Sequence, residues 1–234
     1  MACFLCNNGS KAATLGAAVV ILGAAVATSQ GLVADNPQDG GQQMQEQANY
    51  TLETMFTRDL TFAAGSGKRN DEAWANIQSQ VGNTAPALNV GEWSSLDDSM
   101  KGGDLKSMRD DIVVIDFWGT WCPPCRAAMP KNYELAKKYA DKDVRFLGIS
   151  TVTGSERIEE MAPDIDARFP LAVDNEDKTA EAYGVQWWPY YVVVDRDGIV
   201  RASGLRPDKL ETAIERLLEI QPPRKDKQES GEGG

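Results

Sequence analysis

Two thiols three positions apart, Cys122 and Cys125, stand in the stretch Trp121-Cys122-Pro123-Pro124-Cys125-Arg126. At that spacing the second thiol lies one helical turn beyond the first, close enough to close a disulfide and to open it again. The thiolate is the nucleophile of disulfide exchange, and a helix N-terminus or a Cys-X-X-Cys setting lowers a cysteine's pKa from about 8.5. The residues before the pair, Ile112-Val113-Val114-Ile115, are apolar and β-branched without alternation, the pattern of a fully buried strand in a parallel sheet. After it, Ala127–Ala140 has apolar positions at helical spacing, so the thiols fall at a strand-to-helix junction. Cys122 then sits where unpaired N–H groups and the helix dipole favour negative charge. Pro123 suits the first helical position, because its fixed φ is helical and no donor is lost there. Pro124 stiffens the turn and removes one more amide that could stabilise a thiolate.

The surrounding pattern resembles the active site of the thioredoxin superfamily, and more narrowly its extracytoplasmic TlpA/ResA-like thiol–disulfide oxidoreductases. The resemblance runs from about Gly82 to Ile220 and rests on several features in order. Ala85-Pro86-Ala87-Leu88 is similar to the entry strand, and Asp116-Phe117-Trp118 precedes Trp121-Cys122-Pro123-Pro124-Cys125. Pro130 matches the proline of the active-site helix, Trp188-Pro189 the cis-proline loop, and Asp195-Arg196-Asp197-Gly198 the last turn. A lone Cys-X-X-Cys is a weak signal; the ordered set is a strong one. It implies an α/β, thioredoxin-like fold with a central mixed β-sheet flanked by helices and an N-terminal helical extension. It also implies a redox-active Cys122–Cys125 disulfide and no other cofactor. Cys122 would attack a substrate disulfide and Cys125 would resolve the mixed disulfide. Asp116 matches the buried carboxylate; if buried, desolvation raises its pKa and lets it take the Cys125 proton. The alternative is that it caps the strand end at the surface. Trp121, Pro123, Pro124, Trp188 and a cis Pro189 would form the surface on which a substrate chain lies, with Trp188 replacing the small hydroxyl residue common there.

Composition narrows the rest. The net charge is −11 with a pI near 4.6, so no basic stripe is available for nucleic acid. The chain has no histidine, which excludes a Ser-His-Asp triad, a Cys-His protease and a histidine metal site. Covalent haem attachment through Cys-X-X-Cys-His is excluded too, since Arg126 stands in the ligand position. No metal is expected: Cys3 and Cys6 are badly placed for a four-cysteine zinc site, and the Asp174, Glu176, Asp177 and Glu181 cluster lacks EF-hand spacing and reads as a solvated helix face. A thiol peroxidase of this superfamily needs Pro-X-X-X-Thr-X-X-Cys, which is absent before Cys122. Tryparedoxin-like proteins share Trp-Cys-Pro-Pro-Cys-Arg but are cytosolic. A disulfide oxidant or isomerase, and a non-catalytic binding module, remain as rival readings.

Organisation follows from the chemistry's compartment. Ala12–Ala27 is an uncharged apolar run after Lys11, with Ala25-Val26-Ala27 as a cleavage site, so residues 1–28 read as a signal peptide or uncleaved anchor. Export places the enzyme outside the cytoplasm, in the periplasm or secreted. Its partners are then protein thiols and disulfides (apocytochrome c, another exported thiol or a general pool all fit) and a membrane electron donor; the oligomeric state is not legible. Residues 29–81 read as linker and helical extension, with helices over Gln42–Phe62 and Asp71–Val81 that either dock a partner or pack on the domain. Residues 82–220 form the thioredoxin-like domain and 221–234 a disordered tail. Strands are expected near Ala87–Val90, Ile112–Phe117, Val144–Ile149, Tyr190–Val194 and Ile199–Ala202. Helices are expected near Cys122–Ala140, Ser155–Ala162, Lys178–Tyr183 and Pro207–Ile220; Ser150–Asp174 is longer than a minimal thioredoxin needs, and the resemblance implies an insertion there that serves partner specificity.

Overall fold

The computed structural model describes residues 57–64, 67–95, 102–161, 163–164, 166 and 168–223. The apolar leader, Cys3 and Cys6, most of the Gln42–Phe62 helix and the end of the tail lie outside the described residues. Five strands make one sheet: β1 (Ile112–Trp118), β2 (Val144–Ser150), β3 (Leu171–Val173), β4 (Tyr190–Val194) and β5 (Val200–Leu205), in the order β3-β2-β1-β4-β5. The pairs β1–β2 and β2–β3 are parallel, and β1–β4 and β4–β5 are antiparallel. The central β1 is buried along its whole length, which is why its sequence does not alternate.

Among the described residues five α-helices accompany the sheet: α1 (Lys68–Gln80), α2 (Pro123–Tyr139), α3 (Ile158–Met161), α4 (Lys178–Ala182) and α5 (Leu210–Ile220). Successive β1 side chains point to opposite faces. Ile112, Val114 and Trp118 join one apolar cluster with Met129 of α2 and Ile214 of α5; Val113, Ile115 and Phe117 join another with Leu105, Ala180 and Tyr183. Asp116 has the parity of the first set, so the sheet's pleat aims it at α2. The fold is the mixed sheet flanked by helices that the sequence implies.

The chain before β1 meets both sheet edges. At the β5 edge, Thr61 bridges Leu205 and the Arg206 N–H donates to the Leu60 carbonyl at 3.0 Å. Further along it, the Val200 N–H donates to the Asn83 carbonyl at 2.9 Å. At the β3 edge, Ser94 and Leu171 exchange N–H···O bonds of 2.8 and 2.7 Å. Edges paired in this way no longer offer free N–H and C=O groups to another chain. The α1 helix lies on the domain itself, with Ala73 and Ile77 buried beside Ala63 and Trp187.

Several boundaries differ from the sequence reading. Ala87–Val90 forms no ladder strand; Pro86 cannot donate, and the chain touches the sheet through isolated bridges at Thr84, Val90 and Ser94. Ser150–Asp174 is no mere insertion, since Leu171–Val173 is the edge strand β3, three residues long and hidden after Pro170. The described end of the Gln42–Phe62 helix is not α-helical: Arg58–Leu60 and Phe62–Ala64 are 3-10 turns on either side of the Thr61 bridge. The helix expected over Ser155–Ala162 splits into a 3-10 turn and the short α3, and Pro207–Lys209 is likewise a 3-10 turn before α5. At the start of the predicted tail, Gln221 is held, its side chain donating to Asp195 at 3.1 Å.

Candidate active site

The first turn of α2 is built around one sulfur. Cys122 is its N-cap, in extended backbone, and its Sγ accepts the Cys125 N–H at 3.2 Å. Pro123 and Pro124 fill the next two positions and have no N–H to offer, so Cys125 supplies the first amide of the helix. Cys122 and Cys125 are joined as a disulfide with Cα atoms 5.3 Å apart, and they are 2% and 1% exposed. Pro130 lies further along on the exposed side of α2, and the helix continues through it to Tyr139.

Aromatic rings face solvent next to this buried pair. Trp121 is 48% exposed, meets the Trp188 ring edge-to-face at 5.7 Å and donates from Nε1 to Thr151 Oγ1 at 3.3 Å. The Thr120 hydroxyl donates to the Gly154 carbonyl at 2.8 Å, tying the redox turn to the loop after β2. A side chain at Gly119 would bring its Cβ within 2.9 Å of Trp121 Nε1, so glycine is what lets the indole fold back here. The Trp188–Pro189 bond is cis, Pro189 is buried, and Trp188 packs against the cluster that holds both cysteines. Thus Trp121, Trp188 and the disulfide lie together, with Pro123 and Pro124 exposed beside them.

Asp116 is 1% exposed, which removes the surface-cap alternative. Its Oδ2 accepts one bond, from Asn132 Nδ2 at 2.9 Å, and the same amide donates to Tyr191 Oη at 3.0 Å. Oδ1 has no hydrogen-bond partner among the described residues. Burial pushes the Asp116 pKa up to about 7, and the Asn132 bond only partly opposes it. The Tyr191 phenol is pushed well up by burial, with the Asp116 charge adding to it. Tyr191 is the cross-strand neighbour of Asp116. Asn132 lies seven residues after Cys125, two turns along the same face of α2. Sequence reasoning missed Asn132, Tyr191 and Thr151. For Asn132 the signal is a polar residue interrupting the buried stripe of Cys125, Met129 and Ala136.

The acidic cluster at α4 divides. Asp174 is buried and accepts the Thr179 and Ala180 N–H groups at 2.9 and 2.7 Å, so it caps the helix; Glu176, Asp177 and Glu181 are exposed. Among the described residues no group of three metal-ligating side chains is gathered.

The AhpC/TSA family profile matches residues 81–203. The chain belongs to the AhpC/TSA family. Within that family a peroxidatic loop would place Pro at 115 and Thr at 119, where this chain has Ile115 and Gly119. Thiol-disulfide oxidoreductase ResA of Bacillus anthracis is 31% identical over 121 residues, 52% of this chain and 67% of that protein. Thioredoxin-like protein YneN of Bacillus subtilis (strain 168) is 34% identical over 128 residues, 52% of this chain and 69% of that one. The solution structure of a thiol:disulfide interchange protein from Bacteroides sp. aligns with TM-score 0.50 and 23% identity, over 59% of this chain and 90% of that one. At that identity the likeness shows the fold, which is thioredoxin-like. This AhpC/TSA member is a thiol–disulfide oxidoreductase of the ResA-like kind.

Proposed function

We propose that the protein reduces disulfides of exported proteins, working outside the cytoplasm and drawing electrons from a membrane partner. The observation that carries this reading is the pairing of an N-cap Cys122, already disulfide-bonded to Cys125, with the buried and under-bonded Asp116. In the reduced enzyme the Cys122 thiolate attacks one sulfur of a substrate disulfide and releases the other as a thiolate. Cys125 then gives its proton to Asp116 and attacks Cys122 Sγ. The second substrate thiolate leaves, and the intramolecular disulfide is restored; two electrons have passed to the substrate. The electron donor reverses the last step on the enzyme. The substrate chain lies on Trp121, Trp188 and Pro189, with Pro123 and Pro124 at its side. The reductive direction is supported by Pro123 and Pro124, which leave the Cys125 amide as the first helix donor for the Cys122 sulfur. Strong oxidants need a more stabilised thiolate: thioredoxin lies at about −270 mV and the oxidant DsbA at about −120 mV.

The test is Cys125→Ser in the full chain, mixed with disulfide-bonded protein substrates. Mixed disulfides through Cys122 are expected to accumulate and to be released by dithiothreitol. A variant that keeps partners non-covalently and traps none would show a binding module, and a wild-type potential near the DsbA value would reverse the direction.

A further inference from the structure

The cis-proline loop has two consecutive tryptophans, and only Trp188 faces Trp121. Trp187 turns the other way. Its ring meets Phe62 edge-to-face at 5.8 Å and Tyr190 at 5.2 Å, and it packs against Ala73 and Ile77 of the extension. Between the loop and the extension lies an open groove of about 300 Å³, lined by Phe62, Arg69, Asn70, Gln186, Trp187 and Trp188. Phe62 is 43% exposed, one of few large apolar side chains left at the surface among the described residues. Arg69 is exposed and makes no ion pair among the described residues, in a chain whose net charge is −11. A second cavity, of about 200 Å³ between Leu60, Ile77 and Leu205, includes no residue of the redox surface.

Continuity decides what the groove is for. Trp188 is both a wall of the groove and a neighbour of the cluster containing Cys122 and Cys125, and its ring meets that of Trp121. On the reductase reading a polypeptide whose disulfide is engaged by Cys122 lies on Trp188, and Trp188 is also a wall of this groove. Exposed Phe62 and the Trp187–Trp188 rings suit an aromatic or large aliphatic side chain, whose burial is favourable in proportion to area. Arg69 suits a carboxylate, and the Asn70 and Gln186 amides suit peptide groups. We infer that the groove between Phe62 and Trp188 is a specificity subsite for the substrate polypeptide, selecting an apolar residue beside an acidic one near the reacting cysteine. The inference rests on the reductase reading above and adds to it the residues of the N-terminal extension.

The experiment uses the full chain under turnover with dithiothreitol. Peptide disulfides carrying a Phe-Glu pair two to four residues from the cysteine, on either side, are compared with the same peptides carrying Ser-Ser. Bis(2-hydroxyethyl) disulfide, too small to reach the groove, is the control. Wild type is expected to reduce at least one Phe-Glu peptide about 10-fold faster than its Ser-Ser partner. That is about 1.4 kcal/mol, within what burying one apolar side chain provides. Phe62→Ala and Arg69→Glu should each cut the preference at least threefold and leave the small-disulfide rate unchanged. Arg69 is exposed, so its variant reports on the groove even where Phe62→Ala loosens the extension. No preference in wild type, or one that survives both substitutions, overturns the subsite while leaving the reductase intact. A wild-type dimer that either substitution turns into a monomer assigns the groove to a second copy and also overturns it. Failure to reduce even the small disulfide removes the underlying reading, and the subsite with it.

Discussion

Asp116 and Asp195 are two carboxylates buried equally well in adjacent parts of one sheet, at 1% and 2% exposure, yet they are treated differently. Asp195, at the end of β4, is met by four donors. Its Oδ1 accepts the Asp197 and Ile199 N–H groups at 2.9 and 2.8 Å, and its Oδ2 accepts Arg201 Nε at 2.7 Å and Gln221 Nε2 at 3.1 Å. Asp116, in mid β1, has one neutral amide donor and an oxygen with no partner. A buried charge is tolerated when paired and hydrogen-bonded. Asp195 therefore serves as a fixed acceptor that closes the β4–β5 turn. Asp116 is left poised to exchange a proton, on the face of β1 that looks toward the helix bearing the cysteines. The contrast teaches that burial alone does not mark a working carboxylate; burial with too few donors does.

The contrast can be broken from either side. The largest effect belongs to Arg201→Ala, which takes from the buried Asp195 its ion-pair partner; the loss is expected to be about 3–5 kcal/mol. Urea unfolding measures it, and the folded fraction should exchange disulfides at the wild-type rate. A smaller effect of opposite sign belongs to Asp116→Asn in the oxidised protein. The native pKa of about 7 lies above the ordinary 3.8, so between those values the folded state holds a proton that the unfolded state has lost. That contribution is complete below about pH 4, declines as pH rises through 7, and is absent above it. Asp116→Asn should remove this slope and be more stable than wild type at pH 8, by at most about 4 kcal/mol. Equal pH slopes in thermal unfolding of the two proteins would show that Asp116 is not protonated in the fold.

Much of this was readable from residue order. The Ile112–Phe117 run, the helix after the cysteines and the Asp195–Gly198 turn all declare themselves locally, because each is encoded within a few neighbouring residues. β3 did not, since three residues set their pairing through a parallel neighbour and not through their own period. Ala87–Val90 reads as a strand, but the 82–94 segment around it satisfies its backbone on two different edges, with Pro86 between. At the site, Cys122, Cys125, Asp116 and Pro189 were legible from spacing and resemblance. Asn132 and Tyr191 were not, because their roles exist only once α2 lies across β1 and β4. The groove at Phe62 was hidden for a related reason: the extension read as a helix of its own, and its 3-10 turns form only against β5 and Trp187.

The most direct test of the account is the rate at which Cys125 resolves a mixed disulfide on Cys122, followed by stopped flow from pH 5 to 9 in wild type and Asp116→Asn. A general base of this kind contributes on the order of 10²-fold. The wild-type rate should rise through an inflection near pH 7 as Asp116 ionises. The variant should be slower by that order above pH 7 and should lack the inflection. Superimposable profiles would mean that Asp116 is buried for structure alone and that the Cys125 proton leaves by another route.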